Sequence, residues 1–272
     1  MKKIVFRYCN GYVSVFICLC FILLSSCNKT EDTTNCRKIP ISIKTSGTLG
    51  TSLLSLFEYD DNNRLVNINA VDIENPLNVM NNNVPRISYN SSGDVDKAVY
   101  CGFNNFHLPA NVSYFRDSFV YVFSRKDKII TCNITEYFDS EIFDQYTETI
   151  TLNDLELPGR IEKINGSFYT YLYDTKGNLI SAKHGHVGLQ GEEINYSYTY
   201  DNKNGMFSQV NTSKWWLVFS GYTDICNNRV TIVEEDTESP PIKFNNIYDK
   251  CNYIKSVQIT DVNIFDVEYK EL

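Results

Sequence analysis

Tyr169 to Lys183, YTYLYDTKGNLISAK, is the stretch whose reading decides the fold. Tyr169, Tyr171 and Tyr173 alternate with Thr170 and Leu172, the two-residue period that sends successive side chains to opposite faces of a strand. Asp174 then offers a carboxylate to backbone N–H groups further round a turn. Gly177 supplies the positive φ that closes a short hairpin and leaves a bulge beside it. The chain leaves through Leu179, so the unit is a β-hairpin. Leu179 and Ala182 stand an odd number of residues apart and share a face only if a bulge falls between them.

The unit recurs along the chain. FEYDDNNRLVNI places Tyr59, Asp60, Asn63 and Leu65 on the template, and ISYNSSGDVDKA places Tyr89, Asn90, Gly93 and Val95. YTYDNKNGMFSQV supplies Tyr200, Asp201, Asn204 and, one residue late, Met206; NIYDKCNYIKSV supplies Tyr248, Asp249, Asn252 and Ile254. In all five copies the fourth residue after the tyrosine is Gly or Asn, the two most tolerant of the left-handed backbone region. Weaker copies surround Phe123, Asp127 and Ile129, and Gly159, Ile161 and Ile164. Recurrence at roughly thirty-residue intervals marks an internal repeat.

Further apolar runs predict strands at Phe119–Phe123, Thr147–Leu152, Trp215–Phe219, Arg229–Val233 and Phe265–Tyr269. Only Ser52–Phe57 and Asp139–Tyr146 offer short helical stretches, and Asn75–Val84 and Glu234–Pro241 read as surface loops. Successive hairpins imply about ten to fourteen antiparallel strands, a width at which a twisted sheet curls, closes or splits. The expected fold class is all-β: a wide antiparallel meander of repeated β-hairpins, strongly curved or barrel-like.

At the front, Lys2, Lys3 and Arg7 precede the apolar run Val13–Leu24, which has the charge and length of a signal-peptide core. Leu24-Ser25-Ser26-Cys27 resembles a bacterial lipobox, which implies that Cys27 is lipidated and attaches the protein to a membrane. The polar stretch after it reads as a tether. The expected organisation is therefore 1–26 signal peptide, 27–38 lipidated cysteine and tether, and 39–272 a single hairpin-repeat domain. Lys29 with Glu31 and Asp32 resembles a short export signal for the outer face of the outer membrane, which implies a lipid-anchored protein there. Removing residues 1–26 leaves 22 Lys and Arg against 33 Asp and Glu, a formal charge of −11 that argues against nucleic acid as a partner.

Cys36, Cys101, Cys132, Cys226 and Cys251 remain besides Cys27, in no zinc-binding spacing, and export makes disulfides admissible. Cys226 with Cys251 is the expected pair, since both lie near turns of late hairpins. His184 and His186 share a strand face but lack a third ligand, and Asp60, Asp61, Asn62 and Asn63 lack the spacing of a calcium loop. No metal or cofactor is expected. Catalytic fingerprints are missing from the sequence, while the plentiful carboxylates, Asp139, Glu141, Asp144 and Glu148 among them, leave a glycosidase pair open without pointing to one. Trp215 and Trp216, as neighbours in a strand, would point to opposite faces, leaving one exposed near Tyr198 as a stacking platform for a ligand.

The Tyr-Asp-x-x-Gly-x-Leu hairpins resemble the YD/RHS repeat, and lipobox plus hairpins is similar to a family of exported lipoproteins of unknown function with a porin-like fold. That resemblance implies no activity and no catalytic residues. Charges such as Lys97, Glu136, Glu162 and Lys183 interrupt the continuous apolar face that a membrane-spanning barrel needs, so the domain is expected to lie outside the bilayer. The leading function is non-enzymatic binding of a glycan, peptide or protein partner at the cell envelope. A structural or assembly role in the outer membrane is the alternative, and a carboxylate-based hydrolase the third.

Overall fold

The computed structural model describes residues 36–46, 52–72, 84–103, 116–138, 140–187, 193–235, 237–259 and 262–272. The signal peptide, Cys27, most of the tether, residues 75–83 and Asp139 lie outside them. The strands are β1 (Lys38–Ser46), β2 (Ser52–Tyr59), β3 (Leu65–Asp72), β4 (Val84–Tyr89), β5 (Val95–Phe103), β6 (Arg116–Lys126), β7 (Ile129–Phe138) and β8 (Glu141–Leu152). The second half adds β9 (Pro158–Glu162), β10 (Ser167–Tyr173), β11 (Leu179–His186), β12 (Ile194–Tyr200), β13 (Arg229–Glu234), β14 (Ile242–Tyr248), β15 (Ile254–Ile259) and β16 (Val262–Glu271). One helix, α1 (Lys214–Phe219), interrupts them. Each strand pairs with its sequence neighbours and β16 returns to β1, so the sheet closes as a barrel of 16 strands. The seam runs from Lys38 opposite Glu271 to Thr45 opposite Phe265. Closure removes both sheet edges.

The template turn explains the hairpins. Asp174 Oδ1 accepts the N–H groups of Lys176 (2.8 Å) and Asn178 (2.9 Å), and Gly177 sits at φ +93°. Asp60 does the same for Asn62 and Arg64, Asn90 for Ser92 and Asp94, and Asp249 for Cys251 and Tyr253. Asn63 (φ +58°), Gly93 (φ +86°) and Asn252 (φ +62°) take the left-handed position. A register shift beside the tyrosine follows in each copy; in the first-quoted one Tyr173 faces Leu179 and Leu172 faces Ser181. Ile180 is the bulged residue, so Leu179 and Ala182 are both buried.

The weaker copies differ in register. Asp127 (φ +57°) turns β6 directly into β7. In the other copy Asn153 Oδ1 accepts N–H groups from Leu155 and Leu157, and Glu156 rather than Gly159 holds positive φ (+61°). Gly159 instead occupies the bulge, between Pro158 opposite Leu152 and Arg160 opposite Thr151.

The core is the inside of the barrel. Ile39, Phe57, Leu65, Ile130, Ile134, Ile150, Ile161 and Val257 are buried there. The outer face carries polar cross-strand pairs: Asn69 Nδ2 to Glu58 (2.8 Å), Thr147 Oγ1 to Asn133 (3.0 Å), Thr199 with Thr231 (2.6 Å) and Asn245 Nδ2 to Gln258 (3.3 Å), all exposed. Lys97 and Glu162 are exposed as well, whereas Glu136 accepts the Tyr146 hydroxyl.

Four expectations are corrected. Ser52–Phe57 and the described part of Asp139–Tyr146 are strand, within β2 and β8, because both are held in the sheet ladder, Leu56 opposite Asn69 and Asp144 opposite Glu136. Trp215–Phe219 is helix, and Trp215 and Trp216 are both buried, at 3% and 0% exposure. Cys226 is a free thiol while Cys36 and Cys251 are disulfide-bonded. Finally, the copy at Tyr200 is not closed by Asn204 and Met206. Asp201 Oδ1 accepts Lys203 N–H (2.9 Å) as the template requires, but the second donor is Asn228 N–H (3.2 Å), and the returning strand begins at Arg229. Residues 204–227 are inserted into the turn.

Candidate functional site

That insertion fills one end of the barrel. In an antiparallel barrel the turns after even-numbered strands share a rim, so the Asp/Asn turns and the insertion lie together. The turns hold the insertion in place. Asn211 N–H donates to Asn63 O (3.0 Å), Ser213 Oγ and Trp215 Nε1 donate to Asp94 (2.7 and 3.3 Å), Asn227 N–H donates to Asn178 Oδ1 (3.0 Å), and Asn204 Nδ2 donates to Cys251 O (3.0 Å). Aromatic contacts complete the seat: Phe207 on Phe57 (5.7 Å), Trp215 on Phe123 (5.2 Å) and Phe219 on Tyr121 (6.3 Å). Short side chains make this approach possible, since a Cβ on Gly177 would lie 3.3 Å from Cys226 Sγ.

Beyond the insertion the lumen opens into a cavity of about 430 Å³. Phe219, Ser220 and Tyr222 from the insertion form one side. Pro85 (β4), Tyr100 (β5), Tyr121 (β6), Tyr146 and Glu148 (β8), Ile161 (β9), Lys163, and Tyr169 and Tyr171 (β10) form the rest. Alternation along each strand brings these side chains inward, the same periodicity that was legible in Tyr169, Tyr171 and Tyr173. Tyr100 and Tyr121 meet edge to face at 4.9 Å, and Tyr169 stacks with Tyr171 at 6.3 Å and with His184 at 4.5 Å. The Tyr100 hydroxyl lies 3.3 Å from Ser220 Oγ. Burial pushes the phenols of Tyr100, Tyr121, Tyr146, Tyr171 and Tyr222 up, so at neutral pH they remain neutral donors and acceptors.

Glu148 is the charged group set deepest in this wall, at 7% exposure. Burial raises its carboxyl above the ordinary range, and the Lys163 ammonium, 3.9 Å away, offsets that only in part. Lys163 also lies 5.6 Å over the Tyr169 ring. Of the other carboxylates singled out from sequence, Glu141 and Asp144 are exposed on β8. Tyr198 is half-buried on β12 with the Arg229 guanidinium 5.9 Å over its ring, and with Trp215 and Trp216 it lies outside the cavity lining. His184 and His186 join no metal-holding cluster among the described residues. Sequence reasoning missed the cavity tyrosines as a group. The usable signal was Tyr146-x-Glu148-x-Ile150, a polar residue at an inward position of an otherwise apolar strand face.

No protein-family model and no curated protein matches the sequence. Among solved structures, the chain is similar to a porin-like protein from Bacteroides vulgatus ATCC 8482, at 11% identity and TM-score 0.41, covering 87% of this chain and 100% of that one. It is also similar to a porin-like protein from Bacteroides uniformis ATCC 8492, at 12% identity and TM-score 0.36, covering 86% and 98%. Likeness at this level does not extend to ligand or location.

Proposed function

We propose that this protein is a lipid-anchored, non-enzymatic binding protein of the cell envelope that takes a saccharide into the lumen of its barrel. The observation that carries the reading is the cavity of about 430 Å³ walled by seven aromatic rings. Its volume falls within the range of small-molecule sites, and tyrosines combine flat apolar faces with hydroxyls, the two features a sugar ring presents in return. Ser220 and the Glu148–Lys163 pair add donors and acceptors for ligand hydroxyls. Binding rather than turnover fits the spread of the flagged carboxylates, since only Glu148 of the described ones faces the cavity.

Polar cross-strand pairs such as Asn69 with Glu58 and Thr199 with Thr231 interrupt the exposed apolar side chains of the outer face, among them Val122, Leu172 and Ile247, and support attachment through Cys27 rather than through the barrel wall, because a membrane-spanning barrel needs a continuous outward apolar band. Calorimetric titration of a disaccharide panel tests the function. Micromolar to millimolar binding of at least one disaccharide is expected, weakened roughly tenfold by Tyr171→Ala, in line with the loss of about 1 kcal/mol of stacking plus buried area. Heat-free titrations across the panel, or full affinity in the Tyr171→Ala protein, would remove the luminal site.

A further inference from the structure

Resting on the saccharide reading, we propose that the ligand carries a positively charged nitrogen, the ammonium of an amino sugar, and that Glu148 receives it inside the ring of tyrosines. Glu148 is more than nine-tenths buried and its side chain lines the cavity. Among the described residues no donor hydrogen-bonds its carboxylate, and Lys163 at 3.9 Å stands beyond hydrogen-bond reach. A buried carboxylate left without donors is destabilising, and wall positions elsewhere on β8 are filled by apolar side chains such as Ile150 and Leu152. Retention of a charge here therefore points to a group that arrives with the ligand.

The surroundings select the sign of that group. Glu136, bound by the Tyr146 hydroxyl at 2.7 Å, adds a second negative charge beside the same rings, against the single positive charge of Lys163. The faces of Tyr121 and Tyr169 are themselves electron-rich and attract cations. A neutral hydroxyl would satisfy one lone pair of Glu148 and leave the excess negative charge of Glu148 and Glu136 over Lys163 in place, whereas an ammonium supplies both hydrogen-bond donors and the balancing charge.

The test titrates the full chain at pH 7 with four probes: the glucosamine disaccharide, its N-acetylated form, cellobiose and choline. The expected result is at least tenfold tighter binding of the glucosamine disaccharide than of cellobiose, with the preference abolished in Glu148→Gln. Equal affinity for cellobiose and the glucosamine disaccharide overturns the cationic assignment and leaves the saccharide reading standing. Binding of choline without any disaccharide does the reverse. A preference for the amino sugar that survives in Glu148→Gln also overturns the assignment, because the charge would then be recognised elsewhere.

Discussion

Tyr89 shows why the repeat uses tyrosine and not phenylalanine. Its hydroxyl donates to Leu65 O (2.6 Å) on the preceding hairpin and lies 2.9 Å from Thr212 Oγ1, which in turn accepts Leu65 N–H (2.8 Å). Tyr59 and Tyr173 reach back in the same way to Pro40 O (2.7 Å) and Pro158 O (2.9 Å). Tyr89→Phe should cost about 1 kcal/mol or more by stranding buried partners, lowering the melting temperature by roughly 2–4 °C; an unchanged melting curve would refute this stitching role. Glu148→Gln is expected to move stability the other way at pH 7. Its folded carboxyl titrates above the unfolded value near 4.5, so its contribution to stability is present below that value and lost as pH rises through the folded one. Thermal melts should show the variant ahead of wild type at pH 7 and level with it near pH 4; a variant that melts lower at pH 7 would mean Glu148 is compensated in the unliganded protein. The inward phase of these residues was legible in the sequence from their alternation. Their partners were not, because each lies on another hairpin and no local spacing encodes it.

At the scale of elements, the Asp-x-x-Gly turn was readable because its chemistry is local: a carboxylate, its own backbone two and four residues on, and one left-handed position. Asp60 and Asp174 illustrate the balance. Burial opposes their charge, but side-chain and backbone hydrogen bonds from Arg64 in one and Asn178 in the other outweigh it, so both carboxyls titrate below their usual value. Gly177→Val is expected to destabilise by about 1 kcal/mol or more, since a β-branched residue resists φ +93° and its Cβ would press on Cys226 Sγ and Leu157. Denaturant unfolding at wild-type midpoint would discard that account. What the sequence concealed was the insertion. Lys214–Phe219 is a short apolar run, and such runs fit a buried strand or a buried helix equally well. Asp201 looked like every other copy because its first acceptor bond is normal, while the second comes from Asn228, 27 residues on.

For the molecule as a whole, closure was the part least legible. The repeats announced hairpins, but a closed ring depends on the total number of strands, and expected counts of about ten to fourteen fell short of the 16 found because the seven copies cover only β2 to β15, while β1 and β16, which close the ring, lie outside the repeat. The polar pairs that break up the exterior carry a prediction about attachment. Cys27→Ala, which removes the thiol that would take the lipid, should shift the protein from the membrane pellet to the soluble fraction; retention in the pellet would show that the barrel itself holds the membrane. The seam has a consequence in time. Lys38 waits for Glu271, and Arg37 O for the N–H of Leu272 at the far end of the chain. Fourteen of the fifteen sequential strand pairings could be complete on a ribosome or at an export pore while β1 still offers an unsatisfied edge to any neighbouring copy. For this chain, release of the last ten residues, and not the formation of any one hairpin, is the event that ends its exposure to self-association.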